Sequence, residues 1–184
     1  YDFIVCADVL EHLSRPEQVL AACRQLLQPE GRLLISVPNA GYTGLIAELL
    51  EGEFLYREEG LLDRTHLRFF TRRSLARFLG EQRWAIDSVD TIARELPESE
   101  FDAAFDRLPP PVARHLLGAP DALSYQFICM AHQVAATQPA WAPSTTPAAP
   151  AQARFTAQLY LGHDGHYSEA RKLTASGATA QARH

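Results

Sequence analysis

Tyr1-Asp2-Phe3-Ile4-Val5-Cys6-Ala7-Asp8-Val9-Leu10-Glu11-His12-Leu13 opens the chain with an apolar run that ends in acidic and imidazole side chains. Phe3 to Ala7 is a continuous apolar segment of strand length, the pattern expected of a parallel strand covered on both faces. Asp8, Glu11 and His12 arrive where such a strand finishes. In open α/β sheets ligands bind outside the carboxyl ends of the strands, which makes these three residues candidates for chemistry.

Working outward, Ser14-Arg15-Pro16-Glu17 matches a capping box with proline in the first turn. Val19, Leu20, Cys23, Leu26 and Leu27 then recur at helical spacing, and Pro29-Glu30-Gly31 closes the element. Gly31 to Pro38 reads as a second buried strand, followed by the turn signal Pro38-Asn39-Ala40-Gly41. Strand, helix and strand at this spacing form a βαβ unit, which requires a parallel sheet and a right-handed crossover. A short helix is expected over Thr43 to Leu50, and Glu51 to Leu62 is a charged connection suited to a lid. Leu62 to Thr71 then packs Asp63, Arg64, His66 and Arg68 among apolar residues. Thr71 caps a helix whose inner face is Leu75, Phe78 and Leu79. Ala85 to Ile92 reads as a strand, Glu98 to Leu108 as a helix interrupted by Pro109-Pro110-Pro111, and Ser124 to Val134 as an internal strand.

Composition bounds the rest. The 184 residues are 47% hydrophobic, enough for one ordinary core. A net charge of -5 with scattered arginines gives no basic footprint, so no nucleic-acid partner is expected. Cys6, Cys23 and Cys129 sit in apolar surroundings without metal-type spacing, and a reducing cytoplasm fits them best. No apolar run approaches the ~18 residues that span a bilayer. Residues 1–136 read as globular. Residues 137–153, with prolines at 139, 143, 147 and 150, read as an extended linker. Residues 154–184 begin with an alternating segment, Phe155 to Leu161, and read as the start of a truncated second domain or a disordered tail. The chain starts without Met inside a strand pattern and is expected to be a piece of a longer polypeptide.

The ordered set "YDFIVCADVLEHL", "LLQPEGRLLISVPN" and "LLDRTHLRFFTRRSL" resembles the carboxyl-terminal half of class I S-adenosylmethionine-dependent methyltransferases, in the branch that includes ubiquinone-biosynthesis-type and cell-envelope-associated enzymes. The resemblance covers roughly residues 1–136. It implies an α/β fold, part of a Rossmann-like sheet with strands four to seven of the family, the last antiparallel. Strands one to three, the glycine-rich turn and the ribose-binding acidic residue are not in this sequence. S-adenosylmethionine is the implied cofactor. Cys6, Ala7, Asp8 and His12 are its implied contacts.

For Asp8, Glu11 and His12, spacing of i, i+3 and i+4 places all three on one helical face, a set suited to Mg²⁺. Some relatives hold a metal with Glu-x-x-Glu-His, but the first position here is Asp. The preferred reading is that Glu11 and His12 cap and hydrogen-bond the loop, and no metal is assigned. Asp63 and His66 are the catalytic candidates, His66 as general base. The alternative is an ionic latch from Asp63 to Arg64 or Arg68. Phe54 and Tyr56 are candidates for the acceptor pocket, whereas Phe69 and Phe70 are expected in the core.

The expected function is methyl transfer to a small-molecule or saccharide acceptor by in-line displacement, the protein supplying alignment and exclusion of water. Gly165 to Glu169 resembles segments that follow such enzymes in glycosyltransferase-containing polypeptides. The alternative is a non-catalytic scaffold docking to a glycosyltransferase. The open edge of the first strand is expected to favour self-association.

Overall fold

The computed structural model describes residues 1–135, 156–163 and 166–174. Phe3–Ala7 (β1), Arg32–Pro38 (β2), Trp84–Ala93 (β3) and Ser124–Gln133 (β4) form one sheet in the order β1-β2-β4-β3. β1 runs parallel to β2, and β4 is antiparallel to both its neighbours. The last strand is therefore inserted between the second and third, as a run apolar on both faces predicts. This is the partial methyltransferase-like sheet expected from the sequence.

Pro16–Leu26 (α1) joins β1 to β2, and Arg72–Glu81 (α3) precedes β3. The main core lies between these helices and one face of the sheet: Leu20 and Cys23 of α1 and Leu75 and Leu79 of α3 meet Cys6, Leu33, Ile35, Val37, Phe127 and Cys129. All three cysteines are buried and unpaired. The other face of β1 is bare, with Phe3 63% and Val5 64% exposed. The expectation of cover on both faces fails there, because the described helices that pack on β1 do so from the Cys6 side.

A second apolar cluster sits at the end of the sheet. Thr43–Leu50 (α2), Asp102–Asp106 (α4) and Pro110–Leu117 (α5) gather Tyr42, Leu45, Leu61, Leu62, Phe101, Phe105, Leu117 and Tyr125. The connection 51–62 is fastened to it, since Arg57 pairs with the buried Glu48 and lies over the Phe101 ring at 4.7 Å. Glu100 accepts from the amide of Leu61 at 2.9 Å and from the Tyr125 hydroxyl at 2.9 Å.

Several local expectations need correction. Arg15, not Ser14, holds the cap position of α1, and no side chain caps that helix. Ser14 stands one residue too early for the box. At α3 the Thr71 box does form, with Ser74 as its reciprocal partner. The helix expected over Glu98 to Leu108 contracts to α4, preceded by a 3₁₀ turn at Leu96–Glu98. The proline triplet ends that segment but also starts α5, because proline suits a first helical turn. Thr156–His163 (β5) and His166–Thr174 (β6) pair as an antiparallel hairpin; the sequence pattern pointed to β5 but not to β6. The linker expected over 137–153 lies outside the described residues.

Candidate active site

The carboxyl ends of β1 and β2, the start of β4 and the end of β3 converge on a cavity of about 640 Å³, lined among others by Asp8, Glu11, His12, Asp63, His66, Arg94, Glu100 and Tyr125. This is where strand polarity places ligands in α/β sheets.

The turn after β1 builds the first wall. Asp8 adopts φ +51, a left-handed conformation that Asp tolerates better than most residues. Its amide donates to the Ser36 hydroxyl at 3.0 Å, and its carboxylate accepts from Ser36 Oγ at 2.8 Å and from the Gln126 amide. Leu10–His12 then form a single 3₁₀ turn. Asp8 lies outside it, so the one-face arrangement with Glu11 and His12 does not form, and Asp8 is already engaged elsewhere.

Glu11 is the unusual residue. It is fully buried, and both carboxylate oxygens lack a hydrogen-bond partner among the described residues. The loop-capping role expected for its side chain is therefore not what the structure has. Desolvation, with Asp8 adding to it, raises its pKa above the ordinary 4.5. Its backbone carbonyl does the fastening instead, accepting from Leu67 at 2.7 Å and Arg68 at 2.9 Å.

That pair of bonds brings the 62–71 segment to the strand end. His66, 8% exposed, lies with its ring centroid 4.7 Å from that of His12 in an edge-on contact. One ligating atom each from Glu11, His12 and His66 all fall within 4.8 Å of one another. The Nδ1 of His66 is 3.0 Å from the Leu61 carbonyl. A carbonyl only accepts, so Nδ1 carries a proton, and in the neutral ring Nε2 is the nitrogen with the lone pair.

Asp63 is not half of an ionic latch. Its Oδ1 accepts from the amide and the hydroxyl of Thr65, and these bonds, the hydroxyl first, hold its carboxyl below the ordinary range. Arg64 pairs with Glu58, and Arg68 donates to the Ser14 carbonyl. Of the expected cofactor contacts, Asp8 and His12 line the cavity. Ala7 is exposed at the strand end, while the Cys6 thiol points into the core beside Cys23, its pKa pushed up to about 11 by burial. The Cys6 side chain is therefore committed to the core. Phe70 is core, but Phe69 is 37% exposed and packs edge-on against Phe54, 5.8 Å between centroids, so its expected burial fails. Sequence reasoning overlooked Thr65, although it stands between Asp63 and His66. Glu100, Arg94 and Tyr125 reach the cavity through the fold and carried no local signal.

Residues 1–89 match the family described as "Methyltransferase domain". Over these residues the chain is similar to the class I S-adenosylmethionine-dependent methyltransferases. The methyltransferase stretch is 27% identical over 89 residues to the mitochondrial ubiquinone biosynthesis O-methyltransferase of Schizosaccharomyces pombe, covering 48% of this chain and 32% of that protein. It is 32% identical over 81 residues to the ubiquinone biosynthesis O-methyltransferase of Aromatoleum aromaticum, covering 42% and 33%. The chain thus spans about a third of the length of these curated methyltransferases. Among solved structures, a SAM dependent methyltransferase from Archaeoglobus fulgidus aligns with TM-score 0.45 at 16% identity, covering 72% of this chain and 59% of that one. The 1,6-didemethyltoxoflavin-N1-methyltransferase of Burkholderia thailandensis aligns with TM-score 0.42 at 17% identity, covering 73% and 44%. The cofactor of the family is S-adenosylmethionine. No helix among the described residues is long and apolar enough to cross a membrane.

Proposed function

We propose that this chain forms the acceptor side of a methyltransferase that uses S-adenosylmethionine to methylate a hydroxyl oxygen of a small-molecule acceptor, saccharides included, beside a divalent cation held by Glu11, His12 and His66. The observation that carries this reading is the Glu11 carboxylate. A fully buried carboxylate with two unpartnered oxygens is costly unless something cationic shares its site. Two imidazoles stand beside it. One carboxylate and two imidazoles suit Mn²⁺, Fe²⁺, Co²⁺ or Zn²⁺ better than the all-oxygen preference of Mg²⁺. When bound, such a cation lowers the pKa of an acceptor hydroxyl and stabilises the oxyanion.

The chain's own groups do the positioning. His66 commits its Nδ1–H to the Leu61 carbonyl, which in the neutral ring leaves the lone pair on Nε2. Asp8, fixed by Ser36 and Gln126, offers a carboxylate at the strand end to the ammonium group of the cofactor, together with the backbone of Cys6 and Ala7. Glu59, Glu98 and Glu100 line the cavity and supply acceptors for hydroxyl-bearing molecules, while opposing anionic ones. His66 acts here as a ligand and not as the general base. Free, buried cysteines suit a reducing compartment, and the open edge of β1 offers a surface for self-association.

The test uses the full-length protein that carries this chain, with radiolabelled S-adenosylmethionine and panels of phenolic, saccharide and amine acceptors, before and after EDTA. Transfer to hydroxyl acceptors that is lost on chelation and returns with Mn²⁺ is expected. Transfer indifferent to chelation would remove the cation from the mechanism, and transfer to amines alone would remove the hydroxyl acceptor.

A further inference from the structure

The expected catalytic role of Asp63 has a better replacement in the hydrogen bonds around it. Thr65 Oγ1 lies 2.6 Å from Asp63 Oδ1 and 3.0 Å from His12 Nδ1. A threonine hydroxyl has one proton, and an ionised carboxylate can only accept, so that proton is committed to Asp63. What Oγ1 turns toward His12 is a lone pair. The backbone carbonyl of Thr65, 3.3 Å from the same nitrogen, is also only an acceptor. Nδ1 of His12 therefore meets two acceptors and no donor among its described hydrogen-bond partners.

We infer that Asp63 and Thr65 form a positioning relay, Asp63 carboxylate to Thr65 hydroxyl to His12 Nδ1–H, which fixes the neutral His12 ring in the Nδ1-protonated tautomer and leaves Nε2 with the lone pair, in a ring that stands beside Glu11 and His66. The use of that lone pair rests on the cation reading above; the tautomer does not. His66 obtains the same state from the Leu61 backbone carbonyl. The two imidazoles are thus prepared alike, one by main chain and one by side chains. Groups behind metal-binding histidines commonly orient the ring and set its basicity in this way.

The substitutions have opposite logic. Asp63→Ala frees the Thr65 hydroxyl proton to donate toward His12 Nδ1, which drives His12 to the Nε2-protonated tautomer. Thr65→Val removes the hydroxyl with little change of shape, and Thr65→Ser restores it. The full chain, labelled with ¹⁵N at histidine, is read by long-range proton–nitrogen correlation at pH 8 in EDTA. Wild type and Thr65→Ser are expected to show His12 protonated at Nδ1; Asp63→Ala is expected to show it at Nε2 and Thr65→Val a mixture. Mn²⁺ titration of the same samples is expected to weaken by about 10- to 100-fold in Asp63→Ala and Thr65→Val and to recover in Thr65→Ser. A wild-type His12 protonated at Nε2, or a tautomer unmoved by Thr65→Val, overturns the relay whatever the cation does. Should Asp63→Ala fail to fold, the Val and Ser pair decides alone. If the tautomers follow this pattern while wild type binds no Mn²⁺, the relay stands and the cation reading falls.

Discussion

At the scale of single residues, Glu11 sets function against stability. A buried carboxylate without partners costs about 1–3 kcal/mol, more when charged. Burial raises its pKa above 4.5 in the folded state, so the folded chain holds this proton more tightly than the unfolded chain does. Stability is therefore lost as pH rises from about 4.5 through the raised folded value, and the penalty is complete above it. Glu11→Gln cannot ionise, so whatever its buried amide costs does not change with pH. In EDTA, urea unfolding should find Glu11→Gln more stable than wild type, by a margin that grows as pH rises through this window; a margin independent of pH would contradict the assignment. Saturating Mn²⁺ should reverse the order, since only wild type gains from ligation. The sequence made Glu11 and His12 visible as site residues because they follow a strand-length apolar run. It did not show that Asp8 would drop out of their set. That depended on a left-handed backbone at Asp8 and on Ser36 and Gln126, the latter 118 residues away.

At the scale of elements, one glycine and one cap position separate structural from site effects. Gly60 has φ +96, and a Cβ there would lie 2.3 Å from Glu100 Oε1, the atom that accepts from Leu61 and Tyr125. Gly60→Ala should cost at least ~1 kcal/mol and weaken Mn²⁺ binding, because the Leu61 carbonyl that holds His66 moves with the loop. Thr71→Ala removes the α3 cap and should cost about 1 kcal/mol while leaving Mn²⁺ affinity unchanged. Paired unfolding curves and titrations distinguish the two; equal effects on affinity would show that the loop does not position His66. Local chemistry explains what is legible at this scale. Thr71 announces its helix because its partner Ser74 is three residues away, whereas Ser14 stands one residue too early for its own. The proline triplet signals an interruption plainly, yet its fixed backbone angle serves equally well as a beginning.

For the whole molecule, the antiparallel order of the sheet followed from the family resemblance, and the internal place of β4 was legible in its own apolar run. The bare face of β1 was not, since an apolar run cannot say which of its faces a neighbour covers. Phe3 and Val5 leave that face and the adjoining edge open. Sedimentation of the 184-residue chain should detect self-association that Phe3→Lys reduces, because a charge on an open strand opposes pairing. Sedimentation as a monomer at every concentration would exclude that edge as a contact.

The carbonyl of Glu11 receives the amides of Leu67 and Arg68 from a segment more than fifty residues away. Those two amide protons are consequently built-in reporters. Their exchange with deuterated solvent measures how often the 62–71 segment lifts off the strand end and takes His66 with it. Occupancy by Mn²⁺ should slow that exchange although the ion touches neither amide, making assembly of the site visible without any turnover of substrate.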